Sequence, residues 1–441
     1  MVSMSFHCLR VQMRRPTAAL VAALLAIAHD PAAAQTPASA GLTLRALFDS
    51  VRATHPALRA AESRVRAAEG SRTTARAFGN PVLTYMVDQT PFPGGAPLNM
   101  EREATTTLTL PLEHLYQRGP RVARANADVR AASADAASSR QRVALDAADA
   151  FYRMALAQVQ VATIRDVVQW LDTLARYNRS RVDEGVTAEA DLIRTELERD
   201  RMAAELSLAV AELTRARAGL NAFLSGGGRG QSIDAVSIDE SPLPLPPSSS
   251  LAIDARPDVR AARERITAAS AEVSSERRMV LREVSATIGT MYIGPTRAMA
   301  AGVSLPLPSF DTNRGEIQRA AAVRDAATFE LAAQERTARG DLEGAAEAAR
   351  ILTDRATALA RPGPTAFLAR ADEARRIALG TYREGAIPLF QVIDATRVWA
   401  DARMTYYNTL IAQQRSVLAL LAAEGTDLLT APLLRAGGPS R

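Results

Sequence analysis

The sequence predicts a mainly α-helical fold in which a unit of long antiparallel coiled-coil helices with two short β-strands occurs twice. Three observations lead to this prediction: landmarks that recur about 200 residues apart, apolar heptads longer than a globular helix, and four short segments with strand-like alternation. The 441-residue chain is 47% apolar but only 5% aromatic. This composition, with alanine throughout, favours long, closely packed helices over several large-cored domains.

Residues 1–34 have the pattern of a secretory signal peptide. Three arginines precede an apolar run at residues 18–28, and an alanine triplet precedes Gln35. We expect cleavage after Ala34. The run is too short to span a bilayer, and no stretch of 18 apolar residues follows it. The single cysteine, Cys8, lies in this leader, so the sequence predicts no lipoprotein anchor, disulfide framework, thiolate zinc site or cysteine nucleophile.

The charge pattern does not indicate nucleic-acid binding. The chain has 53 Lys+Arg against 48 Asp+Glu and a net charge of +5, and all of its positive side chains are arginines. Acidic and basic residues alternate along the predicted helices instead of forming a basic stripe, so we expect solvated helix faces and no nucleic-acid partner.

An internal duplication organises the chain into a first repeat at residues 35–224 and a second at 251–426. A Gly/Pro/Ser-rich connector at 225–250 separates them, and a flexible C-terminal tail is predicted at 427–441. Four landmarks recur in the same order: His55-Pro56-Ala57-Leu58 with Arg256-Pro257-Asp258-Val259, Leu110-Pro111-Leu112 with Leu305-Pro306-Leu307, Gly119 with Gly315, and Asp183-Glu184-Gly185-Val186 with Arg383-Glu384-Gly385-Ala386.

Each repeat is predicted to contain a helix, two strands and two long helices joined by a glycine turn. In the second predicted strand, Thr106, Leu108 and Leu110 alternate with threonines, which is typical of a strand with two different faces. The predicted strands are residues 82–88, 104–111, 284–293 and 298–306, and the predicted long helices are 119–182, 187–224, 315–382 and 387–424.

The longest predicted helix carries a heptad pattern. About 60 residues at 1.5 Å each make a rod of roughly 90 Å, which is too long for a globular core. The heptad positions are Val122, Val129, Ala136, Val143, Ala150, Ala157, Ile164 and Leu171, with a partner seam at Ala147, Met154, Val161, Val168 and Ala175. The second repeat has four more residues between its glycines, and Arg361-Pro362-Gly363-Pro364 lies in this span, so we expect that helix to break there.

Four strands per chain are too few to close a membrane barrel. Strands exposed to lipid must form a closed barrel, and the smallest such barrels have eight strands. The sequence therefore predicts an oligomer that pools its strands, with the helical rods forming a tube beneath them. At this point the chain resembles the TolC family of outer-membrane efflux proteins, on the strength of His55-Pro56-x-Leu58, Asn80-Pro81, the two Leu-Pro-Leu segments and the two glycine turns.

The resemblance implies a homotrimer with a twelve-stranded β-barrel in contact with outer-membrane lipid and a long α-barrel across the periplasm. It also implies that the periplasmic end docks on a membrane-fusion adaptor protein and an inner-membrane efflux transporter. The turns at Gly185-Val186 and Gly385-Ala386 would be the docking tips. Glycine suits such a reversal because it adopts the left-handed conformation without a Cβ penalty.

The resemblance also implies gate positions near the second tip. Asp394 matches a gate aspartate, Tyr382 a gate tyrosine, and Asp191 an aspartate of the first tip. Gln391 stands where the family has a second gate aspartate, and Ile387 where an arginine latches the gate. A simpler interpretation remains beside each of these: Asp394 as a solvated residue favoured by the helix dipole, and Tyr382 as a packing residue.

The residues do not indicate an enzyme. The histidines show no metal-ligand spacing, the glycine-rich stretch at residues 226–230 lacks the residues of a phosphate loop, and no nucleophile, base and orienter arrangement is visible. We therefore predict no cofactor and no bound metal. The function predicted is a passive exit duct for small molecules or metal ions in a tripartite efflux pump. The alternatives are the exit duct of a type I protein secretion system, and a soluble periplasmic coiled-coil adaptor or scaffold.

Overall fold

A computed structural model describes residues 41–89, 103–224, 233, 235–247, 253–363 and 366–431. The predicted leader and 12 of the 26 connector residues lie outside these ranges. The described elements are α1 Leu44–Thr54, α2 Pro56–Arg76, β1 Val82–Asp88, β2 Glu103–Pro111, α3 His114–Asp183, α4 Glu189–Asn221, α5 Pro257–Arg278, β3 Ser285–Ile293, β4 Thr296–Ser304, α6 Arg314–Leu359, α7 Phe367–Arg383 and α8 Leu389–Ala423. Over these ranges, none of the helices has the length and apolarity needed to cross a membrane.

The element order confirms the duplicated, mainly helical fold. Each repeat runs helix, strand, strand, long helix and returning helix, with α6 and α7 together matching α3 of the first repeat. The four strands form one antiparallel sheet in the order β1-β2-β3-β4. This order places the first repeat's β2 beside the second repeat's β3, so the sheet is continuous across the duplication.

The main apolar core lies where α1, the middle of α3 and the end of α8 meet. Phe151 and Met154 of α3 are fully buried there against Leu47 of α1 and Leu418 of α8. Small residues of the predicted seam, such as Ala147, allow the helices to approach closely, as the heptad pattern requires.

The same core corrects one sequence prediction. Residues 427–431, assigned to a flexible tail, are packed: Leu428 is 1% exposed and Leu429 and Ala431 are also buried. The side chains of Leu428 and Leu429 belong to the main core, beside those of α1. Burial of the two leucine side chains removes apolar surface from water and stabilises the packed conformation of residues 427–431.

Helix α3 begins five residues before the predicted start at 119. Pro120 lies inside the helix and has no N–H to donate to the carbonyl of Tyr116, which normally disfavours a helix at that point. Here the Arg278 guanidinium of α5 donates to the Tyr116 carbonyl oxygen at 2.6 Å. The lost backbone bond is replaced by a bond from another helix, so α3 continues through the proline.

The predicted interruption of the second long helix is confirmed. α6 ends at Leu359 and α7 begins at Phe367, with Pro362 and Gly363 between them. Gly363 has a φ of 129°, a conformation that other residues rarely adopt, so the segment cannot continue as helix.

The most extensive contacts between the two repeats run in one direction. The trailing side of the first repeat packs on the leading side of the second through β2 with β3, α3 with α5, and α3 with α8. Within the described ranges, no comparable contact joins the trailing side of the second repeat (β4, α6 and α7) to the leading side of the first (β1, α2 and α4). Both of these open sides carry exposed large apolar residues: Val82, Leu83, Tyr85, Ile193, Leu197 and Leu208 on one, and Met299, Val303, Val323, Phe329, Ile351 and Ile377 on the other.

Candidate functional site

The candidate site is the end of the two helical hairpins farthest along the chain from the sheet. α3 turns into α4 at residues 184–188, and Gly185 has a φ of 72°. Its N–H donates to the Val182 carbonyl at 2.9 Å, and the Val186 N–H donates to the Arg181 carbonyl at 2.8 Å. This pair of bonds is the Schellman ending of a helix, and it requires the left-handed conformation that glycine provides.

The second hairpin repeats this turn. Gly385, with a φ of 78°, donates to the Tyr382 carbonyl at 2.9 Å, and Ala386 donates to the Thr381 carbonyl at 3.0 Å. Gly385 and Ala386 are both exposed, as are Gly185 and Val186 of the first turn. The four residues predicted to dock a partner are therefore accessible in this chain, and their docking role stays a prediction.

The predicted gate residues differ in their surroundings. Asp394 and Gln391 lie one turn apart near the start of α8, and both are exposed. Asp191 is partly exposed in the first turn of α4. Ile387 packs against the apolar cluster of the second tip. Tyr382 is only 6% exposed, in keeping with the interpretation of this residue as a packing residue.

Tyr382 also takes part in a buried hydrogen-bonded chain that the sequence did not reveal. The Tyr382 hydroxyl donates to Asn178 Oδ1 at 2.8 Å, and Asn178 Nδ2 donates to Thr195 Oγ1 at 3.0 Å. The Thr195 hydroxyl in turn donates to the Asp191 carbonyl at 2.7 Å. Asn178 and Thr195 are fully buried. One side chain each from α7, α3 and α4 therefore ties the two hairpins together just above their turns.

This chain of donors and acceptors depends on Tyr382 keeping its proton. Burial raises the pKa of the Tyr382 hydroxyl, and the nearby Asp191 charge adds to that rise. The hydroxyl is therefore a neutral donor throughout the physiological range. Since Asn178 and Thr195 do not ionise, the link between the hairpins does not respond to pH there.

Replacing Asn178 with alanine is expected to loosen the tips. The change leaves the Tyr382 hydroxyl and Thr195 without their buried partner, at a local cost of about 1–3 kcal/mol. Amide hydrogen exchange should accelerate around residues 174–195 and 377–393 and remain unchanged in the main core near Phe151. The control is Tyr177→Phe, since the Tyr177 hydroxyl only accepts from Arg181 at a partly buried position. Unchanged exchange at the tips of Asn178→Ala would contradict this role.

A second contact holds α7 higher on the rod. The Arg375 guanidinium lies 4.2 Å from the ring centroid of Trp399 and 5.7 Å from that of Trp170. The Trp399 indole N–H donates to Asp372. Burial lowers the pKa of Arg375, against the opposing charges of Asp166 and Asp372. The cation–π contacts join α7 to both α3 and α8, so the short helix is fixed at two levels.

The sheet at the other end of the chain has two chemically different faces. The strand register assigns each side chain to a face, since directly paired residues project to the same side. One face carries most of the large apolar side chains: Leu83, Tyr85, Val87, Leu108, Leu110, Ile288, Tyr292, Met299 and Val303. The opposite face is mostly small or polar: Thr84, Thr105, Thr107, Thr109, Ser285, Thr287, Gly289, Ala298, Ala300, Gly302 and Ser304. Both faces are largely exposed in the single chain.

Comparison with known proteins agrees with this architecture. A protein-family model described as "Outer membrane efflux protein" matches residues 47–226, which run from α1 through the first repeat. The chain is 26% identical over 346 residues to the cobalt-zinc-cadmium resistance protein CzcC of Cupriavidus metallidurans, a match covering 78% of this chain and 80% of CzcC. The family model thus matches most of the first repeat, and the similarity to CzcC extends over most of the chain.

Solved structures of outer-membrane proteins share the fold of this chain. The outer-membrane channel OprN superposes with a TM-score of 0.71 at 22% identity, covering 87% of this chain and 89% of OprN. VceC from Vibrio cholerae superposes with a TM-score of 0.70 at 19% identity, covering 87% of this chain and 96% of VceC. The outer-membrane efflux channel predicted from the sequence agrees with the family model and with the relative CzcC, and the solved structures share its fold. Within the described ranges there is no group of three or more His, Cys, Asp or Glu side chains that could hold a metal ion.

Proposed function

We propose that three copies of this chain form one passive exit duct that carries cargo from a periplasm-spanning pump to the exterior. The observation that carries this proposal is the one-sided contact between the repeats. A head-to-tail arrangement of copies supplies the absent contact at every boundary, and such heterologous contacts form a ring when the rotation between copies closes. Three copies would pool twelve strands and six helical hairpins.

The two faces of the sheet support the same arrangement. In a pooled barrel the apolar face meets the lipid of the outer membrane, and the small, hydroxyl-rich face lines a water-filled lumen. The first test is the mass of membrane-extracted, signal-cleaved protein by light scattering. A detergent-requiring trimer supports the proposal. A protein that is monomeric without detergent would overturn the proposal and favour the alternative of a soluble periplasmic adaptor or scaffold.

We propose divalent metal ions as the cargo class. The support is the relative CzcC, whose name records resistance to cobalt, zinc and cadmium and whose alignment covers most of both chains. Deleting the gene should raise cellular cobalt, zinc or cadmium and lower tolerance of those metals, with restoration by the intact chain. Unchanged metal tolerance with increased sensitivity to organic compounds would instead assign small organic molecules to the same duct.

The hairpin turns are the proposed contact with an adaptor protein and an inner-membrane transporter. Gly185, Val186, Gly385 and Ala386 are exposed at the ends of the hairpins, where no described element of the chain covers them. In a trimer the two turns alternate around the periplasmic rim, giving six docking points of two kinds.

Asp394 is the proposed constriction residue. Three copies would place a ring of carboxylates near the narrow end, and such a ring favours cations and slows their passage. Asp394→Ala is expected to increase single-channel conductance in planar bilayers and to weaken cation preference. Asp401→Ala removes the same charge two turns farther along α8, also at an exposed position, and should change conductance much less. Equal effects of the two variants, or no effect of Asp394→Ala, would contradict the assignment.

A further inference from the structure

The outer edges of β1 and β4 are the least covered part of the sheet. β1 pairs only with β2, and β4 only with β3, among the described strands. Tyr85 of β1 is 67% exposed and Val303 of β4 is 74% exposed. Unpaired strand edges have free N–H and C=O groups that can pair with a further strand, and natural proteins normally cover or close such edges.

The direction of the strands suits a second copy of the chain. β1 follows α2 and β4 leads to α6, so β1 runs away from the helices and β4 runs toward them. β4 of one chain and β1 of a neighbour are therefore antiparallel when both sheets stand on the same side of their helices. They continue the alternation already present within the chain.

The duplication supplies a template for the pairing register. Within the chain, β2 of the first repeat pairs with β3 of the second, with Thr109 opposite Thr287 and Pro111 opposite Ser285. Just past the strands, the Leu112 N–H donates to the Val284 carbonyl at 2.8 Å. This is the junction from first to second repeat. The junction from second repeat to the next copy's first repeat would follow the same geometry.

From this template we infer that β4 pairs with β1 of the neighbouring copy with Ser304 opposite Thr84 of the partner subunit. The inference rests on the proposed trimer and adds its register. Leu305-Pro306-Leu307 corresponds to Leu110-Pro111-Leu112, and Val82, the first residue of β1, corresponds to Ser285, the first residue of β3. Applying these two correspondences to the β2–β3 pairing gives the residue-by-residue alignment of β4 with the neighbouring β1.

Three features of the chain agree with this register. It keeps each side chain on its face, because Ser304 and Thr84 both lie on the small polar face and Val303 meets Tyr85 of the partner subunit on the apolar face. A slip by one residue would mix the two faces. The Leu307 N–H would donate to the partner subunit's Pro81 carbonyl, as Leu112 does to Val284. A proline fits at this position, since only its carbonyl is used.

The exposure of matched residues also indicates an absent neighbour. Leu108 of β2 is 37% exposed, whereas Val303, its counterpart on β4, is 74% exposed. Leu112 is partly buried beside β3, whereas Leu307 is 79% exposed. The template position already has its partner strand and the matched position does not, so the excess exposure is the area that the neighbouring β1 would cover.

Disulfide trapping tests the register directly. In a Cys8→Ser background, a chain carrying Thr84→Cys and Ser304→Cys should form a reducible covalent trimer on oxidation. Directly opposed antiparallel residues have Cα atoms about 4.5–5.5 Å apart, within disulfide reach, whereas residues two positions out of register are about 7–8 Å apart. Within one chain, β1 and β4 are three strand spacings apart, about 14 Å, so a bond cannot form internally.

Two shifted pairs serve as controls: Ser304→Cys with Val82→Cys, and Ser304→Cys with Met86→Cys. We expect neither to yield a covalent trimer, and the single variant Ser304→Cys to yield none. A trimer by light scattering that cross-links only in a shifted pair, or in none of the three pairs, would overturn the register and leave the proposed duct standing. Absence of both the trimer and the cross-link would overturn the register and the proposed function together.

Discussion

Gly289→Ala is expected to abolish assembly of the membrane trimer. A Cβ at this position of β3 would lie 2.2 Å from the Thr106 carbonyl oxygen and 2.9 Å from Thr107 Cα of β2. Both are backbone atoms, so no side-chain rotation relieves the contact and the two strands must separate. β2 and β3 join the two repeats, and a barrel with a gap at that joint leaves its edges open in lipid. We expect at least a tenfold loss of trimer extracted from membranes, measured by light scattering and immunoblotting.

Gly302→Ala is the matched control. Gly302 lies on the same face of β4, and a Cβ there would meet no atom of the chain within 4 Å. In the proposed register it occupies the position that corresponds to Thr107 of β2, where a larger side chain is already accommodated. Assembly should therefore be normal. Normal assembly of Gly289→Ala would contradict the close approach of β2 and β3, and failure of both variants would point to a general intolerance of larger residues in the barrel.

Gly385→Val is expected to abolish export while leaving trimers in the membrane. The φ of 78° at Gly385 is strongly disfavoured for a β-branched residue, at a cost of about 1–2 kcal/mol or more. The turn would be rebuilt, and the exposed surface of the second tip would change with it. The main core, at the other end of α8, and the sheet would be unaffected. Metal tolerance of the complemented strain measures export, and light scattering of the extracted protein measures assembly.

Gly380→Val gives the corresponding control in α7. Gly380 is helical and exposed, and a Cβ there meets nothing within 4 Å. Export and assembly should both persist. Loss of trimers in Gly385→Val would show that the glycine is required for folding alone, and full export would show that the partner docks elsewhere.

Much of this fold could be predicted because its signals are periodic and local. The strand alternation around Thr106 and Leu108, the heptads of α3 and the proline-rich break after α6 each follow from a short stretch of sequence. The internal duplication then predicted that helices and strands follow the same order in both repeats. The family and its fold then followed from motifs that are weak singly but occur twice in the same order.

The missed features depend on residues distant in sequence. Nothing near Tyr116 indicates that Arg278 would replace the donor lost at Pro120, so the start of α3 was placed too late. Asn178 and Thr195 are ordinary polar residues within helical patterns, and only the approach of α7 turns them into a buried link with Tyr382. The gate role of Asp394 depends on three chains and stays a prediction.

The interruption between Leu359 and Phe367 makes the two hairpins mechanically unequal. α3 is a single beam of 70 residues, whereas its counterpart is jointed, with segments of 46 and 17 residues. Within the second hairpin, only α8 is continuous from the tip to the main core, so the position of α7 depends on its contacts with α3 and α8 through Arg375 and Tyr382. In a ring of three copies, stiff and jointed hairpins alternate. The periplasmic end of the proposed tube would then deform with threefold symmetry, although six helical hairpins form it.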